Sequence, residues 1–189
     1  MSEALTVKEF TSETWADFEA LFGKHKGVSG GCWCVFHLCP SSEFNAMTRE
    51  GRRDFQQRQV ELGCGSGLLV YDQGVPVAWC QFGAAERFRQ IERMRAYQAL
   101  NLPAELRPRW RISCIFVDKH RRREGLSQFA LHAAVGLIRE HGGGLVESFP
   151  LDLPGPRPPY TGSEAMYLRE GFETITRLGK NTLLMRLLV

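Results

Sequence analysis

Apolar residues along this chain recur with two different spacings, and the change from one to the other marks where the structure should turn. From Ile112 to Val117 the chain reads I-S-C-I-F-V, a short and nearly continuous apolar run of the kind that fits a buried strand. Beyond a basic stretch and Gly125, apolar positions fall at Leu126, Phe129, Ala130, Ala133, Ala134, Leu137 and Ile138. A spacing of three and four puts these on one face of a helix. The pattern predicts strand, loop and amphipathic helix over residues 112–141, the most informative stretch of the chain.

The remaining elements follow by the same rules. Leu5–Phe10 reads as a first strand and Thr14–Phe22 as a short helix, with Thr11 or Ser12 as N-cap and apolar positions at Trp15, Phe18, Leu21 and Phe22. A polar helix rich in Arg and Gln is predicted from Glu43 to Leu62, stopped by Gly63. Gly67–Tyr71 and Val75–Phe82 flank Asp72-Gln73-Gly74 and should form an antiparallel hairpin. Between Ala84 and Trp110, isolated apolar residues among many Arg and Glu suggest a helical excursion that either walls a ligand pocket or packs on the outside. Gly142–Gly144 end the long helix, and Leu145–Phe149 resumes as a strand whose helical crossover makes it parallel to the central one. The proline-rich segment 150–160 is too stiff for helix or inner strand and is expected to rim a site. Phe172–Arg177 and Thr182–Val189 should close the sheet as a hairpin.

Chemistry enters at the loop before the long helix. Backbone amides at a helix start have no partners within the helix, and the helix dipole favours negative charge there. Gly125 lacks a Cβ, so a phosphate oxygen could approach those amides closely, and Lys119, Arg122 and Arg123 add positive charge. The glycine pattern of a dinucleotide fingerprint is missing, and so is the Lys-Ser or Lys-Thr of a P-loop. The segment Arg122-Arg123-Glu124-Gly125-Leu126-Ser127 instead resembles the R/Q-x-x-G-x-G/A signature of the GCN5-related N-acetyltransferase (GNAT) family, with Ser127 in place of the last Gly or Ala. Met166-Tyr167-Leu168-Arg169-Glu170-Gly171-Phe172 is similar to that family's L-Y-x-K-x-G-F element, in which Gly171 would cap a helix. The family's usual upstream asparagine is replaced at about that place by Thr161.

The resemblance implies an α/β fold with a mixed, mostly antiparallel central sheet, a splayed parallel pair of strands and flanking helices. It implies acetyl-CoA as cosubstrate, seated on Ile115, Phe116, Val117, Arg122, Arg123, Glu124, Gly125, Leu126 and Ser127. The strand amides near Phe116 and Val117 would polarise the thioester carbonyl, and Tyr167 would protonate the leaving sulfur. The central strand lacks the carboxylate some members carry, which leaves Glu147 as candidate base, or else as a carboxylate paired with an arginine. Cys114 could carry an acyl group or simply pack in the core. A homodimer is common in the family.

Composition bounds the reading. At 189 residues, 43% of them hydrophobic, the chain can bury one good core and is short for two, so residues 1–189 are expected to form a single domain. A net charge of +3 lacks the excess of a nucleic-acid binder. No apolar run reaches the roughly 18 residues of a membrane span, and the N-terminus lacks a signal-peptide core, so a cytoplasmic protein without a membrane partner is expected. Cys32, Cys34, His37 and Cys39 form a C-x-C-x-x-H-x-C cluster, which is not a usual zinc spacing, and no metal is expected. With Gly30 and Gly31 it reads as a substrate-facing loop, and Cys32, Trp33 and the strand residue Trp79 are the candidate acceptor contacts. The expected acceptor is a primary amine of a small molecule. A protein amine, an aminoacyl-tRNA and a non-catalytic acyl-CoA-binding module remain the alternatives.

Overall fold

The central apolar run forms a strand, and one irregularity within it decides which residues face which side of the sheet. The computed structural model describes residues 5–153 and 160–189. Seven strands among these residues make one sheet: β1 (Thr6–Glu9), β2 (Leu68–Asp72), β3 (Val75–Ala84), β4 (Trp110–Val117), β5 (Leu145–Ser148), β6 (Glu173–Leu178) and β7 (Thr182–Leu188), in the order β1-β2-β3-β4-β5-β7-β6. Every neighbouring pair is antiparallel except β4 and β5. That parallel pairing joins only Trp110 to Val146, Arg111 to Glu147 and Ile112 to Ser148, after which the two strands part. The mixed sheet with a splayed parallel pair is therefore present as expected.

In the ladder with β3, Gln81 pairs with Cys114 while Phe82 pairs with Ile112, which leaves Ser113 as a bulge. Without it, strict alternation would place Ser113 and Cys114 on opposite faces. With it, Ile112, Ile115 and Val117 join the core on one face, and Cys114 and Phe116 join a second core on the other. The first core is covered by α6 (Leu126–Glu140), which buries Leu126, Ala130, Leu131, Ala134, Val135 and Ile138. Its buried face is rotated from the expected one: Leu131 and Val135 are fully inside, while Phe129, Ala133 and Leu137 only pack at the margin.

The second core is aromatic. Phe18 of α1 (Trp15–Gly23) stacks on Phe22 at 4.1 Å and meets the edge of Trp79 at 4.8 Å between ring centroids, and Phe10 lies 4.9 Å from Trp79. Thr11 starts this region with a capping box: its N–H donates to the Thr14 hydroxyl at 2.9 Å, and its own hydroxyl accepts from the Glu13 amide at 3.3 Å. The loop 24–40 is pressed onto the same core by Trp33, whose indole occupies the space a Cβ on Gly27 would need.

One expectation is corrected, and one open alternative is decided. The single helix Glu43–Leu62 is two helices, α2 (Ser41–Ala46) and α3 (Arg49–Glu61), because Met47 is extended and the Thr48 hydroxyl accepts from the Gly51 amide at 3.0 Å, starting a new helix. The excursion 84–110 is not mere surface. Its short helices α4 (Arg89–Glu92) and α5 (Arg95–Gln98) bury Ile91 and Tyr97 beside Phe88, Leu38, Phe149 and Leu184 in a third core.

A row of charge ties the centre of the sheet together. Arg111, Glu147 and Arg186 lie directly opposite one another on β4, β5 and β7. Arg186 donates to one Glu147 oxygen at 2.7 and 3.1 Å, while Tyr97 and Arg111 donate to the other at 2.8 and 3.4 Å. Arg111 also reaches the Ala85 carbonyl at 2.8 Å and Glu92 at 2.6 Å. Removing one member of such a buried set strands the rest. Glu147→Gln is expected to destabilise the fold by about 3 kcal/mol, read as a lowered midpoint in urea.

Candidate active site

Where β4 and β5 part, the chain builds two cavities that share one residue. Past the end of β4, the Asp118 carboxylate accepts from the His120 amide at 3.0 Å, from Lys24 at 2.7 Å and contacts the His25 ring at 3.1 Å. Burial alone would raise its pKa, yet the Lys24 and His120 hydrogen bonds and the charge of Lys24 outweigh it and hold the carboxyl down at about 2. This anchor fixes the turn Lys119–Arg121 that carries the chain to the helix.

Arg123 and Gly125 both take left-handed backbone, at φ 69° and 78°. Gly125 stands as the N-cap of α6 with no side-chain cap, so the first amides of a four-turn helix are left for something else. A Cβ built on Gly125 meets nothing within 4 Å: the glycine faces open space. That space is a cavity of about 300 Å³, and all the residues expected to hold a cofactor line it except Glu124. Glu124 instead pairs with Arg121 at 2.8 Å, and Arg121 also reaches Asp72 at 2.7 Å. Lining residues that sequence reasoning did not assign include Arg169, Ser163 and Tyr160. Arg169 was legible in the second motif, where it stands two residues after Tyr167 and so adds a guanidinium to the cavity from α7 (Glu164–Arg169).

The strand edge is partly in use. The Ile115 amide donates to the Tyr160 carbonyl at 2.5 Å, whereas the Asp118 amide, on the opposite edge, donates to Val77 of β3. Amides alternate along a strand, so Phe116 points to β3 and Val117 faces the side β5 has left. Of the two amides expected to polarise a carbonyl, only that of Val117 is oriented for it.

Tyr167 is fully buried on α7, packs edge-on to Phe172 at 5.1 Å, and its hydroxyl has no hydrogen-bond partner, like the neighbouring Ser148 hydroxyl. Burial above all, with the Cys80 and Cys114 thiols close by, pushes its pKa well above that of a free phenol, so it is a neutral donor at physiological pH. Tyr167 itself lines neither cavity, while Met166 and Gly162 beside it line the 300 Å³ one, and Gly162 must be glycine because a Cβ there would strike the Met166 and Tyr167 side chains. Glu147 is corrected: at 0% exposure and with both oxygens taken by Arg186, Tyr97 and Arg111, it can reach neither cavity as a base. Trp79 and Trp33 are corrected as well, because they are spent in the aromatic core, at 0% and 8% exposure.

The second cavity, of about 540 Å³, opens on the other side of Tyr160. Cys32, one of the candidate acceptor contacts, lines it, and so do Cys34 and Cys114, whose sulfurs lie 3.1 Å apart. Burial, then the neighbouring Cys114 thiol, raises the Cys34 pKa far above the ordinary thiol value, which makes a thiolate nucleophile there unfavourable. Among the described residues no group of three or more His, Cys, Asp or Glu side chains could hold a metal ion. The excursion contributes Gln90, Ile91 and Met94 to the wall. Residues 154–159 of the expected proline-rich rim lie outside the described residues, while Leu151, Leu153 and Tyr160 do line the cavity.

Sheet order, splayed pair and left-handed loop together define the fold of the GNAT acetyltransferases. No family model and no curated protein matches the chain in sequence. Solved structures do match it in shape. An agmatine N-acetyltransferase superposes with a TM-score of 0.61 at 12% identity, covering 99% of this chain and 100% of that one. The PaiA N-acetyltransferase of Thermoplasma acidophilum, in complex with coenzyme A, gives 0.55 at 8%, covering 99% and 100%. An acetyltransferase of the GNAT family from Desulfovibrio desulfuricans gives 0.54 at 16%, covering 98% and 99%.

The Asp118 anchor has a pH signature. Its folded-state pKa lies below its unfolded value of 3.8, so its contribution is complete above about pH 4 and disappears as pH falls through about 2. Asp118→Asn should cost about 2 kcal/mol at pH 7, with the gap to the parent protein closing between pH 4 and 2 in urea titrations.

Proposed function

We propose that residues 1–189 form a single-domain, acyl-CoA-dependent N-acyltransferase that moves an acetyl group from acetyl-CoA directly to a primary amine of a small molecule. The observation that carries this is the left-handed Gly125 turn, which opens the amides of a long helix onto a cavity flanked by Arg122, Arg123 and Arg169, at the place where β4 and β5 part. Neighbours in shape that include a coenzyme A complex and an agmatine acetyltransferase support the same reading. Gly125, Leu126 and Ser127 would hold the pyrophosphate, the three arginines would balance its charge, and the edge of β4 at Val117 would hold the arm.

When bound, acetyl-CoA would supply an acyl carbon activated as a thioester. The chain's own part is to orient and to move one proton. The Val117 amide on the open edge of β4 would donate a hydrogen bond to the thioester carbonyl as negative charge builds on its oxygen. Tyr167, neutral and without a protein partner, would give its proton to the departing sulfur. No carboxylate reaches the site among the described residues, so the amine must arrive neutral, and the proton it loses after attack would replace the one Tyr167 gives to sulfur.

Two substitutions separate binding from chemistry. Gly125→Asp puts a carboxylate into the anion cavity, and it should weaken coenzyme A binding by at least about 10-fold in calorimetry, while the strained left-handed backbone costs about 1 kcal/mol of stability. Unchanged affinity would refute the placement. Tyr167→Phe should keep that affinity and lower kcat for thiol release roughly 100-fold. A chain that only binds acyl-CoA would show no thiol release in either form.

A further inference from the structure

The larger cavity carries information about the acceptor, on the reading that thioester chemistry occurs beside it. Its wall is apolar: Val28, Phe36, Ile91, Met94, Phe149 and Tyr160 face in, and no Asp, Glu, Lys or Arg lines it among the described residues. Residues 154–159 hold no carboxylate in their sequence. Carboxylates on the elements around it are paired elsewhere, Glu147 with its two arginines, Glu92 with Arg111, Glu43 with Arg89 at 3.4 Å, and Asp152 with Arg177 at 2.7 Å.

The polar groups that do line the cavity are mostly satisfied within the protein. Gln81 donates to the Cys34 carbonyl at 2.8 Å and accepts from Ser113 at 2.8 Å, and Gln90 accepts from the Ser41 amide at 2.9 Å. His37 differs. Its Nδ1 is shut away from solvent with no partner. Burial foremost, and the Arg111 charge behind it, bring its pKa down to about 4, so the imidazole is neutral at physiological pH and adds no charge of either sign. A cation entering this space would lose its hydration with nothing to replace it, whereas apolar surface would gain.

We infer that this cavity selects an acceptor with a single amine carried on an apolar, ring-sized or alkyl body, seated among Phe36, Ile91, Met94 and Phe149, and that it excludes polyamines and other acceptors bearing a second positive charge. A volume of about 540 Å³ suits a body of that size. The amine end points toward Tyr160 and Cys114, where the two cavities approach each other.

The test compares phenethylamine and hexylamine with agmatine and spermidine, using the full chain with acetyl-CoA and following thiol release. The monoamines should show kcat/KM at least about 10-fold above the dications, and a preference for the dications overturns the inference. Calorimetric binding of the same four amines to the coenzyme A complex gives the same ranking without turnover. If coenzyme A binds but no amine is acetylated, the proposed reaction fails while the ranking by binding still decides the inference: equal or reversed affinities reject it. Met94→Glu supplies the missing carboxylate at the cavity wall. It should leave coenzyme A affinity unchanged and raise the agmatine-to-phenethylamine ratio at least about 10-fold; an unchanged ratio in a variant that still binds coenzyme A rejects the inference.

Discussion

The separation of β4 from β5 is the constraint on which the rest of the site depends. Parallel strands normally continue their ladder as long as both keep their pleat. Here pairing ends after Ile112 and Ser148, and the next residue of β4, Ser113, is a bulge. A bulge bends its strand and increases the local twist, so the ends of the two strands diverge. The opening would be unstable as an empty slot between unpaired edges. It is held instead by the row Arg111, Glu147 and Arg186, which locks the closed end, and by Tyr160, which takes the Ile115 amide in the open end.

The two cavities beside that opening differ in charge. One has guanidinium groups and the amides of a long helix, the other has aromatic, aliphatic and thiol walls. A ligand that spans them needs an anionic end and an apolar end, a requirement set by field and solvation before any particular contact is considered. Tyr160 borders both cavities, which puts a hydroxyl-bearing side chain at the boundary, whereas Tyr167 is buried and lines neither.

Buried polarity serves different ends in different parts of the molecule. Glu147 is satisfied four times over and is a structural carboxylate, because a group surrounded by two arginines and a tyrosine has no free lone pair to lend a substrate. Tyr167 and His37 are the opposite case, buried polar atoms left without partners. Such atoms cost stability. The contrast is invisible in composition, since all three residues look equally available in a linear sequence.

Local rules carried the reading of the sequence a long way. The period of the apolar residues located the sheet strands and α6, and the hairpin at Asp72–Gly74 followed from its turn residues. The Gly125 turn was legible too, because a left-handed backbone and an uncovered helix start are properties of a few adjacent residues. What failed involved partners distant in sequence. Glu147 reads as a base until Arg186, 39 residues away, is seen to hold it. Trp79 reads as an acceptor contact until Phe10 and Phe18 close over it. The larger cavity is assembled from the loop 24–40, the excursion 84–110, β4 and the segment after β5, none of which contains it alone. The sequence by itself determined the elements and the left-handed glycine turn, because both arise from interactions within a few residues. Only the tertiary structure decided which polar groups are used up in packing and which remain free for a ligand, because that depends on long-range contacts that a linear pattern does not encode.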